Sequence, residues 1–296
     1  MPGATVSATQ GEKKLVKEQE QKFELPAPLA TAPALTAQGI LLILAGGTVQ
    51  RIPLSLTEGA VGGPNWNSPR GDEGARGYVV PISADEFLTT DGSRGLTHWQ
   101  WPPNKTFATI PDTHDPPTVD LPARIVAAPI VLPQDKTDTD LRVVVADADN
   151  NLTLLKGSNL KTERVWPLGG EITAGPFLRG RRIGCLVDRR RLVWIDPARD
   201  KQLWQYTMPG EAIVGQPQII GDTLVLANLS GRFIALNPDT GRPYGSGYSL
   251  KARAAPVATP VAYGKDEAFV PLTDGTVFIL PLRSLRESQP PSPVNP

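Results

Sequence analysis

Short apolar runs, each closed by a turn dipeptide and followed by a second run, recur along the chain. The first runs are residues 40–46, 86–91, 141–147, 183–188, 223–228 and 268–273. Each leads into a tight turn: Gly46-Gly47, Asp91-Gly92, Asp149-Asn150, Asp188-Arg189, Ser230-Gly231 and Asp274-Gly275. Most of these dipeptides tolerate a positive φ, as short hairpins require. The second runs, 49–54, 96–101, 152–155, 192–195, 233–236 and 277–280, complete an antiparallel hairpin in every unit.

A second signal sits ahead of each hairpin. An x-Pro pair recurs as Ala32-Pro33, Val80-Pro81, Ala128-Pro129, Gly175-Pro176, Gln216-Pro217 and Thr259-Pro260, with spacings of 48, 48, 47, 41 and 43 residues. A period near 40–45 residues is what propeller blades leave in a sequence. Proline suits the innermost strand of a blade, an edge strand on which a missing N–H breaks no ladder bond. Residues 163–168 around Trp166, and 203–208 around Trp204 and Tyr206, read as fourth, outer strands.

The expected architecture is therefore all-β: a β-propeller of six four-stranded blades in one domain over residues 22–285. The blades fall near 27–66, 75–111, 123–168, 171–209, 212–250 and 255–282. The sixth unit ends after its third strand. Residues 22–26 (Lys-Phe-Glu-Leu-Pro) resemble 205–209 (Gln-Tyr-Thr-Met-Pro) and are expected to supply the missing outer strand, closing the ring without a long exposed edge. Three segments fall outside this scheme: a polar tail at 1–21, a Gly-rich stretch at 59–77 and a Pro-rich tail at 286–296, each too poor in apolar residues to build a core.

Composition narrows the function. Lys+Arg and Asp+Glu both number 30, so no net charge draws the chain toward nucleic acid or anionic lipid. One cysteine, Cys185, excludes an internal disulfide and any multi-cysteine metal site. The most apolar stretch, 34–46, is shorter than the ~20 residues of a spanning helix and reads as buried strand. Residues 1–21 are of mixed charge with no apolar core, so they hold no secretory signal. The expected compartment is cytoplasmic if Met1 is the native start and extracytoplasmic if an upstream signal peptide is missing.

Units four and five carry a more specific signature. Unit five reads Ala235-Leu236-Asn237-Pro238-Asp239-Thr240-Gly241-Arg242, and unit four reads Ile195-Asp196-Pro197-Ala198-Arg199-Asp200-Lys201-Gln202-Leu203-Trp204. Asp196 or Asn237 can start an Asx turn, Gly241 can take a left-handed conformation, and Trp204 can dock against the next blade. These residues resemble the quinoprotein-like propellers built from PQQ-type repeats, strongly over 125–285 and weakly before. Asp200 stands in place of the repeat's glycine in unit four, and Tyr244 in place of its Trp in unit five. In the catalytic members of that family, the resemblance implies eight blades, an adjacent cysteine pair, a bound Ca²⁺ and an aspartate base. One cysteine and six units point instead to a non-catalytic member with no cofactor, and a PQQ-dependent dehydrogenase is the remote alternative.

The remaining candidate chemistry is sparse. His98 and His114 are the only histidines. His98 lies on a strand and faces away from Trp99 and Trp101, as a hydrogen-bonded structural residue would. His114 has carboxylates nearby but no nucleophile. Asp147, Asp149 and Asn151 alternate like a calcium loop, yet the sixth and twelfth positions are Leu152 and Ser158 rather than Gly and Glu. Arg179, Arg181 and Arg182 flank one turn of unit four, and Arg189, Arg190 and Arg191 the other. A strand of about 20 Å therefore puts the two clusters on opposite rims.

Turns between the second and third strands converge on one rim of a propeller, so Asp91, Arg94, Asp147, Asp149, Asp188, Arg189, Arg232 and Asp274 are expected to ring a shared face. Mixed charge there suits a protein or polar ligand rather than DNA. The leading expectation is a monomeric, non-catalytic interaction scaffold with no membrane span, a module suited to the C-terminal end of a larger bacterial protein. A second reading is a glycosidase- or lyase-type enzyme using Asp147 with Asp149, or Asp85 with Glu86. These are sequence neighbours, whereas a glycosidase sets its two carboxyls ~5–10 Å apart across a substrate. A third reading is an outer-membrane assembly factor similar to the BamB lipoprotein propellers.

Overall fold

The structure, a computed structural model, describes residues 24–37, 39–45, 48–54, 61–65, 77–90, 92–100, 118–134, 139–250 and 254–286. Strands form six successive antiparallel sheets. The first holds β1 (Ala34–Thr36), β2 (Gly39–Ile43), β3 (Thr48–Pro53) and β4 (Val61–Asn65), and the second β5 (Tyr78–Pro81), β6 (Glu86–Thr90), β7 (Gly95–Gln100) and β8 (Thr118–Asp120). The third holds β9 (Ile130–Val131), β10 (Arg142–Ala146), β11 (Asn151–Lys156) and β12 (Lys161–Pro167). The fourth holds β13 (Ile172–Arg179), β14 (Arg182–Val187), β15 (Arg191–Asp196) and β16 (Lys201–Thr207). The fifth holds β17 (Gln218–Ile220), β18 (Thr223–Ala227), β19 (Arg232–Leu236) and β20 (Tyr248–Ser249). The sixth has β21 (Val261–Tyr263), β22 (Glu267–Pro271) and β23 (Val277–Pro281), followed by the short helix α1 (Leu282–Arg286). This is a β-propeller fold, its four strands called a to d below.

Why the strands read as continuous apolar runs is plain from their two-sided burial. Along β10, Val143 and Val145 pack toward the second sheet while Val144 and Ala146 pack toward the fourth. Along β14, Ile183, Cys185 and Val187 face the third sheet and Leu186 the fifth. Gly184 leaves room for the indole of Trp194, since a Cβ there would lie 2.1 Å from a ring carbon. Five apolar layers of this kind join the six sheets in chain order.

The repeat extends further than the prolines. In five units the residue four places before the proline bridges the end of strand b: Leu29 to Leu44, Ile125 to Asp147, Ile172 to Val187, Ile213 to Asn228 and Pro256 to Leu272. The carbonyl one residue earlier, at Pro28, Arg124, Glu171, Ala212 and Ala255, accepts the N–H that follows strand b, at 2.7 to 3.0 Å. Strand a therefore starts earlier than the x-Pro pair suggests and is pinned to the b–c turn. Two such residues also reach back to the preceding sheet, Ile125 N–H donating to Ser93 O at 2.8 Å and Ile213 N–H to Arg189 O at 2.7 Å.

Several boundaries differ from the sequence expectation. The outer strand of the first sheet, β4, falls within the expected first blade, at the start of the Gly-rich stretch, whereas that of the second, β8, lies beyond residue 111. Arg286 closes α1 rather than opening a tail, because Leu282 and Leu285 bury in the layer between the last two sheets and the Arg286 guanidinium donates to Thr223 Oγ1. The sixth sheet has three strands among the described residues. Residues 24–26 of the expected closing strand carry no strand, and Lys22 and Phe23 lie outside the described residues.

Candidate binding rim

Of the eight residues expected on the b–c rim, Asp147 and Asp274 bond within their own turns, and Asp188, Arg94 and Arg232 tie their turns to neighbouring strands. Asp147, 2% exposed, accepts the backbone N–H groups of Asp149 and Asn151 on Oδ1 at 3.0 and 2.9 Å. Asn228 repeats this toward Ser230 and Arg232 at 3.1 and 2.8 Å. Asp274 accepts the Thr276 hydroxyl at 2.7 Å and its N–H at 3.0 Å, and these bonds hold its carboxyl below the usual value. Asp188 accepts the Glu171 N–H at 2.8 Å. Arg94 and Arg232 donate to the carbonyls of Leu121 and Ser246, fastening strand d to the start of strand c. Asp91 lies outside the described residues.

Asp147 and Arg189 are brought together in a hollow of about 660 Å³ that spans the third, fourth and fifth sheets. Its other polar walls come from Arg124, Asn150, Glu171 and Gln216. Arg124 and Glu171 occupy the same repeat position, one residue before the bridging isoleucine, so the pinned start of strand a projects them at the mouth. Arg189 takes a left-handed φ of 55° in its turn. Arg124, Arg189 and Glu171 are exposed, whereas the Asp147 carboxylate is satisfied by its turn. The hollow thus offers two guanidiniums and one free carboxylate around an apolar floor that includes Ile172 and Leu186.

Sequence reasoning missed Arg124, Glu171 and Gln216. The spacing that would have found the first two is the apolar residue four places before the x-Pro proline in five units, which marks its predecessor as a rim position. Asp149 does not line the hollow.

Among the described residues the other candidate groups are dispersed. Asp85 and Glu86 stand at the a–b end of β6, whereas Asp147 and Asp149 stand at the b–c end of β10, so the two pairs do not flank one cleft. His98 is 2% exposed between the second and third sheets, its Nδ1–H donating to Ser158 O at 3.1 Å. His114 lies outside the described residues. Arg179 and Arg182 pair with Asp239 of the fifth sheet at 3.7 and 2.6 Å, on the rim opposite Arg189. Among the described residues no three His, Cys, Asp or Glu gather as a metal site, and no helix is long and apolar enough to cross a membrane.

The repeat signature is now visible as geometry. Gly241 has φ +69°, and a Cβ there would fall 2.5 Å from the Trp204 ring, which stacks on Trp194 at 5.3 Å. Asn237 Oδ1 accepts the N–H groups of Asp239 and Thr240. One sheet earlier Asp200 takes φ +51° and accepts Trp166 Nε1–H at 2.9 Å and Arg164 at 2.5 Å. A carboxylate there replaces the ring-on-glycine contact with a hydrogen bond.

No protein-family model and no curated protein matches the chain. Solved propellers resemble it in fold. BamB from Moraxella catarrhalis aligns with TM-score 0.50 and 15% identity over 70% of this chain and 58% of that one. The chain thus spans under two thirds of that protein. The C-terminal WD40 domain of Sif2 aligns with TM-score 0.58 and 10% identity over 86% of this chain and 70% of that one. BBS1N, solved in complex with ARL6DN, gives 0.52 and 14% over 82% and 74%.

Proposed function

We propose that residues 22–285 form a single PQQ-repeat-like propeller domain that binds a polypeptide on its b–c rim and performs no catalysis. The observation that carries this reading is the 660 Å³ hollow across three sheets, with Arg124 and Arg189 set against Glu171. Both charge signs beside an apolar floor match the alternating side chains of a peptide better than a uniformly anionic nucleic acid. The Asp147 carboxylate accepts N–H groups of its own turn and the Asp188 carboxylate accepts the Glu171 N–H, which favours recognition over acid–base work. BBS1N, a structural neighbour, was solved in complex with ARL6DN, and binding of a protein by this chain is the analogous reading.

The test is selection from a displayed random-peptide library, followed by fluorescence anisotropy on the enriched peptides. Arg124→Glu, Arg189→Glu and Glu171→Arg should each weaken binding about tenfold or more. Arg182→Ala on the opposite rim should leave it unchanged. Binding that survives all three rim substitutions, or is abolished by Arg182→Ala, overturns the assignment.

A further inference from the structure

The b–c turn of the fourth sheet is built unlike its neighbours. The second, third, fifth and sixth sheets place a left-handed residue in that turn as Gly92 at φ 83°, Asn150 at 65°, Gly231 at 80° and Gly275 at 81°. Gly and Asn adopt that conformation at little cost. The fourth sheet instead sets Asp188 at φ 52° and Arg189 at 55°, with Arg190 N–H donating to Val187 O at 3.1 Å across them, a type I′ turn without glycine. An arginine gains nothing locally from a left-handed backbone. Such a backbone persists where its surroundings over-determine it, and here they do. Asp188 N–H donates to Glu171 O at 2.8 Å, Arg189 N–H to Thr173 Oγ1 at 3.0 Å, and Arg189 O accepts Ile213 N–H at 2.7 Å. The Arg189 guanidinium makes no hydrogen bond or ion pair among the described residues, whereas that of Arg191 donates to the Leu168 and Gly169 carbonyls.

On the reading of this rim as a polypeptide site, we infer that Arg189 is a carboxylate receptor held at a cost in stability, and that the bound segment carries an Asp or Glu for it. Backbone strain collects where a side chain must be aimed at a ligand. Arg189 lines the hollow of about 660 Å³ together with Arg124, whose guanidinium is likewise unpaired among the described residues. Guanidinium and carboxylate form paired, charge-assisted hydrogen bonds. The Glu171 and Asp147 carboxylates in the same hollow oppose a dianion such as a phosphate, which leaves a singly charged carboxylate as the anion the two arginines suit. Because the hollow runs across three sheets, the segment crosses it and presents that carboxylate from a side chain.

Two measurements on the full chain test this. Arg189→Gly relieves the backbone and Arg189→Ala does not, although both remove the guanidinium, so the urea midpoint should be higher for Arg189→Gly than for Arg189→Ala or the wild type. Selection of a displayed random-peptide library on the wild type should enrich Asp or Glu at one position, and selection on Arg189→Glu should replace it with Lys or Arg. In fluorescence anisotropy, converting that acid of a synthetic enriched peptide to its amide should weaken binding about tenfold or more, and amidating the peptide's C-terminus should not. Peptides that bind the rim with no acidic preference, or that lose affinity only on C-terminal amidation, overturn the inference and leave the polypeptide site standing. Enrichment of no peptide removes that site and the inference with it. An Arg189→Gly variant no more stable than Arg189→Ala overturns it as well.

Discussion

Replacing Gly241 with alanine separates the two contributions that fix the Trp204 contact. The new Cβ meets two strains: a left-handed φ of +69°, and overlap with the indole at 2.5 Å. A left-handed L-residue costs about 1–2 kcal/mol. Forcing an extra methyl into a packed site costs typically ~1–3 kcal/mol more. Gly180 supplies the internal control, with φ +59° and nothing within 4 Å of a built Cβ. Gly180→Ala should therefore destabilise by ~1–2 kcal/mol and Gly241→Ala by ~2–5, against a domain stability of ~5–15. Urea midpoints of the two variants give the comparison. Trp204→Ala should itself cost ~3–5 kcal/mol, and in that background Gly241→Ala should fall to the Gly180→Ala value because its steric partner is gone. Equal midpoint shifts for both glycines, or no coupling to Trp204, would refute the docking role of the ring.

Asp200→Gly should be nearly neutral, because relief of the φ +51° backbone offsets loss of the Trp166 and Arg164 contacts; Asp200→Ala loses the contacts without relief and should be less stable by ~1 kcal/mol in the same urea assay. The opposite order would show that the backbone is not strained there. Burial pushes the Cys185 thiol far above its ordinary value, so an aromatic disulfide reagent should react only as denaturant opens the domain. Rapid stoichiometric labelling in native buffer would contradict the burial.

The b–c hairpins and their order were legible because each combines an x-Pro pair, an apolar run and a turn dipeptide, three independent signals for one element. Trp204 and Gly241 were legible for the same reason, since the Asx turn and the glycine stand at fixed offsets. The rim hollow was not. Arg189 was expected there, but its other two charges come from Arg124 and Glu171, which share a repeat position and have opposite signs, so no single residue type marks it. Turn carboxylates such as Asp147 and Asp274 drew attention as ligands, yet Asp is favoured at such turns for bonding its own backbone. Helix α1 is five residues long, too short for a 3.6-residue period to show.

Six sheets sharing five layers in sequence behave less like one core than like a row of coupled units, each stabilised by its neighbours. Opening an inner unit forfeits two layers, whereas opening a terminal one forfeits a single layer. Among the described residues the sixth unit has three strands and one apolar layer, so it is the easiest to release. The rim hollow rests on the third, fourth and fifth units, with at least one whole unit between it and either end. Its walls stay assembled while the ends breathe, so a ligand there meets a surface already ordered and forfeits little entropy in settling onto it.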